Sequence, residues 1–495
     1  MKKCISIILL SVIVFLTSCE NFLESRDKSV ILEEKLFTNQ EGAEEAMYGL
    51  YMTMSTRSLY GAYMYVIPDL MGQYYTFNKS DDAVLGNMEA VVMHKHDAER
   101  PTLLSTEMWM YGYFLISNIN KVIENLDGWT HKPLRHFNLY YGECCAMRAM
   151  MHFDLLRLFG STNLDKRGIP YVDSYGMYAK PFSKTGEVYD RIIADLMKAQ
   201  ELLQEDEELL TFPRKPENTY DPYISHREFH ANLYAVKATL ARVYYTRGSK
   251  SDLDSAAHYA KQIIDSKKFN LPTKGEDKTT IHFQEMVAGT VDVNEAIFGL
   301  YKADTYTEWQ GLFLQQKGGY EPAYPEMYNM KPGEEGFDFR SIWIRNARTT
   351  DGVDFGKRYF NLTAASSFNP MSDSKGVGIS GNNIIRVPEM YLILAEAYME
   401  SNPAEALKYY NEFISSRGLR EVEGPVTTEM LDEQLWKEYA QEGHYWFRLK
   451  KRHRPTLTLE PGLGHRYGAT LDMDESKWNL KIPDGEFEFR PDGTF

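Results

Sequence analysis

The stretch that decides the fold is residues 105–160, STEMWMYGYFLISNINKVIENLDGWTHKPLRHFNLYYGECCAMRAMMHFDLLRLFG. Apolar residues recur there at steps of three and four on both sides of Gly128 and Pro133, which interrupt helices. The first stripe comprises Trp109, Tyr113, Ile116, Asn120 and Ile123, and the second comprises Phe137, Tyr141, Cys144, Arg148, Met151, Leu155 and Phe159. The stretch therefore predicts a hairpin of two long helices, with Gly160 where a helix commonly ends.

Two polar residues, Asn120 and Arg148, lie within these apolar stripes. Burying an amide or a guanidinium costs free energy unless the group is hydrogen-bonded. We therefore expect both side chains to fix the packing of the hairpin by bonding to neighbouring backbone or carboxylate groups, rather than to bind a ligand.

The composition is that of a large globular protein. The chain has 495 residues, of which 43% are hydrophobic, and it carries 55 Lys and Arg against 70 Asp and Glu, a net charge of -15. Because binding to phosphate backbones needs clustered cations, this balance argues against a nucleic-acid partner.

The N-terminus has the pattern of an export signal. Two lysines precede a short apolar run, and residues 16–19, Leu-Thr-Ser-Cys, resemble the bacterial lipobox. We expect residues 1–18 to be removed as a signal peptide, Cys19 to carry lipid, and residues 19–28 to form a tether. The apolar run is too short to cross a membrane as a mature helix, so we expect a protein anchored through its lipid.

Helical periodicity recurs along the rest of the chain. Helices are predicted at about 41–56, 229–247, 253–266, 387–400, 403–417 and 428–451, with another capped by Thr185 and ending near Leu203. Residues 57–104 and 269–384 lose this periodicity and are rich in aromatic residues. The predicted fold is all-α dominated, a tetratricopeptide-like α-α superhelix with long irregular loops.

We expect two main regions after the tether. A helical N-terminal region covers 29–268. A C-terminal region covers 269–495 and contains the loop insertion 269–384 and the helices of 387–451.

Cysteine and histidine give no metal or redox signal. Cys144 and Cys145 are neighbours on a helix and point about 100° apart, so we interpret them as small core residues. His94 and His96 have no third ligand at a useful spacing, and we predict no metal and no cofactor.

An ordered set of motifs resembles the SusD/RagB family of outer-membrane lipoproteins. The motifs are Trp109-x3-Tyr113-x2-Ile116-x3-Asn120, Arg148-Ala149 through Leu155 to Phe159-Gly160, Ile169-Pro170, Glu187-Val188-Tyr189, Leu240-Ala241-Arg242-Val243-Tyr244, Ala395-Glu396-Ala397 and Glu442-Gly443. The resemblance implies a surface-exposed lipoprotein of the cell outer membrane that binds oligosaccharide or polysaccharide without catalysis. It also implies delivery of that glycan to a SusC-like TonB-dependent barrel.

The candidate ligand residues are aromatic. A sugar ring has an apolar C–H face and polar edges, so flat rings on loops make a natural site for it. The irregular loops supply the residues that we predict to bind ligand, which are Tyr74, Tyr75, Tyr306, Trp309 and Tyr320.

Two other binding functions stay open, and an enzyme is not expected. Some members of the family capture peptides, and a helical repeat can also serve as a protein–protein scaffold. The sequence contains no glycine-rich phosphate loop and no nucleophile elbow.

The lipobox generates the first prediction. In a Cys19→Ala variant the protein should leave the membrane pellet, because no lipid can be attached to alanine. Cell fractionation followed by immunoblotting measures this. Undiminished recovery in the pellet would contradict the assignment of the anchor.

Overall fold

Helices make up most of the computed structural model, with short strands between them. The residues that it describes are 36–76, 88–272, 290–291, 294–303, 321–322, 327–328, 338–340, 348–349, 352–353, 379–459, 466 and 468–488.

The helices pack largely on their neighbours in the sequence. They are α1 (Gln40–Met54), α2 (Tyr63–Met71), α3 (Glu89–Val92), α4 (Glu99–Asp127), α5 (Phe137–Phe159), α6 (Thr185–Leu202), α7 (Asp206–Leu209), α8 (Leu233–Arg247), α9 (Lys250–Asp265), α10 (Val387–Tyr398), α11 (Pro403–Ser416), α12 (Thr428–Glu438), α13 (Tyr445–Arg452) and α14 (Gly485–Glu488). Helix α4 packs on α5, α5 on α6, α8 on α9, α9 on α10 and α10 on α11. This order of packing is that of an α-α superhelix, which confirms the predicted fold class.

The predicted hairpin is formed by α4 and α5. Helix α4 ends before Gly128, as expected. Helix α5 is buried on nearly every side, not only along a stripe, because α4 and α6 cover it from two directions. It is the central helix of the N-terminal region.

Asn120 and Arg148 fix the hairpin as predicted. The Arg148 guanidinium donates to both carboxylate oxygens of Asp195, at 2.6 and 2.7 Å, and to Asn120 Oδ1 at 2.8 Å. Asn120 Nδ2 in turn donates to the Val172 carbonyl at 2.9 Å. Hydrogen bonds among these buried polar side chains thus join the three helices α4, α5 and α6.

The strands are short and antiparallel. They are β1 (Tyr75–Thr76), β2 (Arg167–Pro170), β3 (Phe182–Lys184), β4 (Thr290–Val291), β5 (Ala296–Tyr301), β6 (Glu321–Pro322), β7 (Arg348–Thr349), β8 (Gly352–Val353), β9 (Ile379–Arg386), β10 (Thr456–Thr458) and β11 (Thr470–Asp472). Strand β9 lies between β4 and β5. A Cβ added at Gly381 in β9 would lie 2.1 Å from the Leu300 carbonyl oxygen, so only glycine fits there.

Two predicted boundaries are wrong, and both fail for a physical reason. Residues 57–104 hold a wide helical turn at Arg57–Gly61 besides α2, α3 and the start of α4. Helix α2 is almost entirely buried, so it lacks the amphipathic period that marks a surface helix. The predicted helix 428–451 is two helices, because Gln441 and Gly443 adopt left-handed backbone angles, with φ of 70° and 72°.

Thr185 is the first residue of α6 and not its cap. The cap position is Lys184, whose backbone N–H donates to the Glu187 carboxylate at 3.1 Å. The Thr185 hydroxyl donates instead to the Ser161 carbonyl at 3.0 Å.

One large core cluster contains residues from both predicted regions of the chain. Cys144 and Cys145 are buried within it as free thiols, which confirms their interpretation as core residues. Among the described helices, none combines the length and the apolarity needed to cross a bilayer.

Arg148→Ala should destabilise the fold by about 3–5 kcal/mol, because it leaves the largely buried Asp195 without its cation. Denaturant unfolding of the soluble form, starting after Cys19, measures the loss. Lys132→Ala, at an exposed position between α4 and α5, is the control and should leave the midpoint unchanged. An unchanged midpoint for Arg148→Ala would contradict the role of this contact.

Candidate functional site

The structure describes two of the five predicted ligand residues. Tyr306, Trp309 and Tyr320, like Cys19, lie outside the described residues. The sequence predicts Tyr74 and Tyr75 on an exposed loop, but the structure places both in the core, at 2% and 3% exposure. Neither ring offers an open face to a ligand, so the prediction of exposed loop rings is wrong for Tyr74 and Tyr75.

Tyr74 instead supports two other rings. Its ring stacks on Trp436 at a centroid distance of 6.3 Å and meets the edge of Tyr445 at 5.8 Å. Its hydroxyl donates to the Trp436 carbonyl at 2.6 Å. Burial raises the pKa of Tyr74 well above its usual range, so the hydroxyl stays a neutral donor.

Tyr75 joins the two loops in which the ligand residues were predicted. In the β1–β6 ladder Tyr75 pairs with Pro322, and Thr76 pairs with Glu321. Glu321 directly follows the segment that carries Tyr306, Trp309 and Tyr320 in the sequence. The ladder therefore brings together Thr76 and Glu321, which border these two segments in the sequence.

Asp69, at the end of α2, holds the break between α12 and α13. Its carboxylate accepts the backbone N–H groups of Gln441 at 2.7 Å and Gly443 at 2.9 Å, and the Tyr75 hydroxyl at 3.2 Å. Burial raises the pKa of Asp69, and these three bonds oppose that rise by favouring the charged form. A Cβ at Gly443 would lie 2.4 Å from the Met64 carbonyl oxygen, so the break packs closely on α2.

An open groove of about 460 Å³ lies at this junction. Its lining residues are Gly72, Gln73, Trp436, Tyr445, Leu449, Arg454, Pro455, Thr456, Leu457 and Thr458. Trp436 and Tyr445 are half-buried and supply its aromatic walls, while Arg454, Thr456 and Thr458 supply polar groups. We call this feature the aromatic groove.

The polar groups of the aromatic groove suit a hydroxyl-rich ligand. Burial raises the pKa of Tyr445 to about 12, so its hydroxyl can both donate and accept at physiological pH. Arg454 is bonded to Asp432, which also accepts Arg448 Nε at 2.7 Å. Asp432 thus holds Arg454 in place, and the Arg454 side chain is still 42% exposed.

A buried ion cluster fixes the helix that carries Trp436. Glu438, two residues further along α12, accepts Arg417 at 2.7 and 3.0 Å and Arg386 at 2.8 Å. Both arginines also bond to Glu295, beside β5, at 2.7–3.0 Å. Burial alone would raise the pKa of Glu438, but the arginines lower it to about 2.

The histidine pair at His94 and His96 is structural. Both rings contact the Lys477 carbonyl oxygen, at 3.3 and 3.0 Å, and His94 also contacts the Met71 carbonyl at 3.1 Å. Burial lowers the pKa of His94 to about 3 and lowers that of His96 as well, so both rings are neutral. Within the described part of the chain, no group of three or more His, Cys, Asp or Glu side chains is placed to hold a metal ion.

Sequence analysis missed Trp436 and Tyr445. Both fall inside the run 428–451, where an aromatic ring is most simply interpreted as packing. The available signal was Gly443, since a glycine commonly marks the end of a helix and thus a turn that can expose nearby rings.

Comparison with known proteins agrees with the fold. A SusD-like family model described as "Starch-binding associating with outer membrane" matches residues 58–245. SusD-like protein P2 of Formosa agariphila is 27% identical over 428 residues, which cover 80% of this chain and 78% of that protein.

Two solved structures from Bacteroides vulgatus share the architecture. A SusD superfamily protein has a TM-score of 0.69 at 22% identity, with 91% of this chain and 97% of that chain covered. A SusD-like carbohydrate binding protein has a TM-score of 0.68 at 16% identity, with coverages of 91% and 96%. The chain is thus similar to SusD-like proteins over residues 58–245, and its fold is that of the SusD superfamily structures.

Proposed function

We propose that this protein binds oligosaccharide or polysaccharide without catalysis, at the aromatic groove. It acts at the outer membrane, held by lipid on Cys19 and facing the exterior, and delivers the glycan to a SusC-like TonB-dependent barrel. The family description, which names starch binding and association with the outer membrane, supports the coarse form of this proposal.

The observation that carries the proposal is the pairing of Trp436 and Tyr445 in an open groove with a polar rim. Sugars need apolar contact for their C–H faces and hydrogen-bond partners for their hydroxyls, and this groove offers both. Tyr74 behind the two rings, and Asp69 behind the turn, hold them in place before ligand arrives. Such preorganisation reduces the entropy lost on binding.

Trp309, Tyr306 and Tyr320 extend the proposed site. Their segment ends at Glu321, which pairs with Thr76, and Tyr74 lies two residues before Thr76 in contact with Trp436. This connection supports the proposal that rings from that segment stack on ligand next to the aromatic groove. Trp309 offers the largest ring face among them.

Peptide capture is the second candidate, and one feature favours it. Strand β10 lines the aromatic groove and, among the described strands, pairs only with β11. An extended peptide could add to its other edge by backbone hydrogen bonds. A peptide pool tested beside a glycan array separates the two functions.

Loss of one aromatic wall should weaken glycan binding by at least about thirtyfold, which corresponds to roughly 2 kcal/mol for a binding hot spot. Isothermal calorimetry of Trp436→Leu and Trp309→Ala, with the glycan that the array identifies, measures this. Leucine keeps apolar contact with Tyr74 but removes the flat ring.

Tyr220→Ala is the matched control, because this ring is 94% exposed and contributes no lining residue to the groove. Thermal melts check folding. Unaltered affinity in both test variants would contradict the proposed site, and release of glycan fragments would contradict a non-catalytic function.

The lipidated protein should co-purify with a TonB-dependent barrel in mild detergent. A captured glycan must pass to the barrel without escaping, which requires the lipoprotein to cover the opening of the barrel. Quantitative mass spectrometry of the tagged complex measures how much barrel is recovered with the lipoprotein. Recovery of the lipoprotein without any such barrel, both with a C-terminal tag and with a tag inserted at the exposed Met177 and Tyr178, would contradict the proposed partner.

A further inference from the structure

Arg454 is the only charged side chain among the described residues that line the aromatic groove. It lies with the rings of Trp436 and Tyr445 in these walls, and its side chain is 42% exposed. No Asp or Glu of the described chain is among the lining residues. A ligand in the groove therefore meets one guanidinium and no lining carboxylate.

The protein uses only part of the Arg454 guanidinium. Its Nη2 donates to Asp432, and within the described part of the chain neither its Nε nor its Nη1 has an acceptor. The planar fork of arginine matches the oxygens of a carboxylate or a sulfate, and hydrogen bonds between ions are stronger than those between neutral groups. Arg454 thus has donors left for an anionic group of a ligand.

Asp432 does not neutralise Arg454 by itself, because it is shared with two other arginines. It accepts Arg448 Nε at 2.7 Å, and Arg452 Nε lies 3.9 Å from it. Glu429, exposed at the start of α12, also interacts electrostatically with Arg452 and Arg454. Two carboxylates thus face three guanidinium groups.

One more carboxylate and one more cation belong to the same group of charges. Glu396 bonds to Arg448 and lies 3.7 Å from the Lys451 ammonium. Burial favours the neutral form of Glu396, but the two cations outweigh it and lower its pKa. Burial lowers the pKa of Lys451 to about 8, so its amine is largely charged at pH 7. Four cations therefore share three carboxylates.

The acidity of the whole chain has little influence inside the groove. The net charge is -15, but at physiological ionic strength charges are screened over about 8 Å. Among nearby acids, Glu433 is paired with Lys437 at 2.6 Å. Asp472, opposite Thr456 in the β10–β11 ladder, is exposed and is not a lining residue. The charges bonded to the wall of the groove are thus positive in balance on an acidic protein.

We propose that the aromatic groove takes an acidic saccharide, one that carries a carboxylate or a sulfate group. This inference rests on the glycan binding proposed above and narrows the class of ligand. Trp436 and Tyr445 contact the apolar face of a sugar unit, and Arg454 donates to the anionic group at its edge. A neutral sugar in the same place makes no ionic contact with the guanidinium and binds more weakly.

The first test is an array of neutral, uronate-containing and sulfated oligosaccharides, probed with the soluble protein that starts after Cys19. The acidic oligosaccharides should bind most strongly. Strongest binding of a neutral one would overturn this inference and leave the glycan function intact. Binding of none of them, or only of acidic peptides from the pool, would remove the glycan function and this inference with it.

The second test is calorimetry of Arg454→Gln with the acidic oligosaccharide that binds most strongly. Affinity should fall at least about tenfold, which corresponds to 1.4 kcal/mol. Arg135→Gln is the matched control, because this arginine also pairs with an aspartate, Asp221 at 3.1 Å, and does not line the groove. The control should leave the affinity unchanged. Thermal melts of both variants check folding.

The same oligosaccharide, with its carboxyl groups reduced or its sulfate groups removed, separates the two anionic groups. Whichever treatment weakens binding to the wild-type protein identifies the group that Arg454 contacts. Arg454→Gln should cost little further affinity for that neutralised ligand, and Arg454→Lys, which keeps the charge, should retain part of the affinity for the acidic one. Equal losses of Arg454→Gln for the acidic and the neutralised ligand would overturn the inference, because Arg454 would then bind hydroxyl groups only.

Discussion

The buried carboxylate of Glu438 is the constraint on which the arrangement of the C-terminal half depends. It accepts from Arg386 at the end of β9 and from Arg417 after α11, and both arginines also bond to Glu295. These side chains are 0% exposed, so each charge was removed from water and is stabilised by the others, with Glu442 also pairing with Arg386 and Arg340 with Glu438. Removing any one would leave an uncompensated charge in the core, and the end of α12 is therefore fixed relative to β9 and α11.

The position of α12 decides where the ring of Trp436 lies in the aromatic groove. Trp436 precedes Glu438 by two residues, so the ion cluster sets where its ring lies, and Tyr74 stacks against that ring from the core side. Asp69 fixes the turn between α12 and α13 through two backbone N–H groups and thereby places Tyr445. A rigid buried framework thus carries a half-open aromatic surface, which is the usual relation between a scaffold and its binding residues.

The helical scaffold could be predicted from the sequence because amphipathic periodicity identifies surface helices. The bonding of Arg148 could be predicted because a buried guanidinium is costly unless it is paired. The hairpin and the contact of Arg148 with Asn120 were predicted on those grounds. Periodicity fails for α2, which is buried all round. Periodicity also could not distinguish Tyr74, which packs in the core, from Trp436, which lines the groove. The exposure of these rings depends on contacts between residues more than 300 positions apart in the sequence.

The central claim is that the aromatic groove is a carbohydrate site held in place by the core behind it. A crystal structure of the soluble protein with the oligosaccharide that the array identifies tests this most directly. The account predicts a sugar ring against Trp436, with hydroxyl groups within hydrogen-bonding distance of Arg454 or Thr456. An oligosaccharide bound elsewhere, without contact to Trp436 or Tyr445, would contradict it.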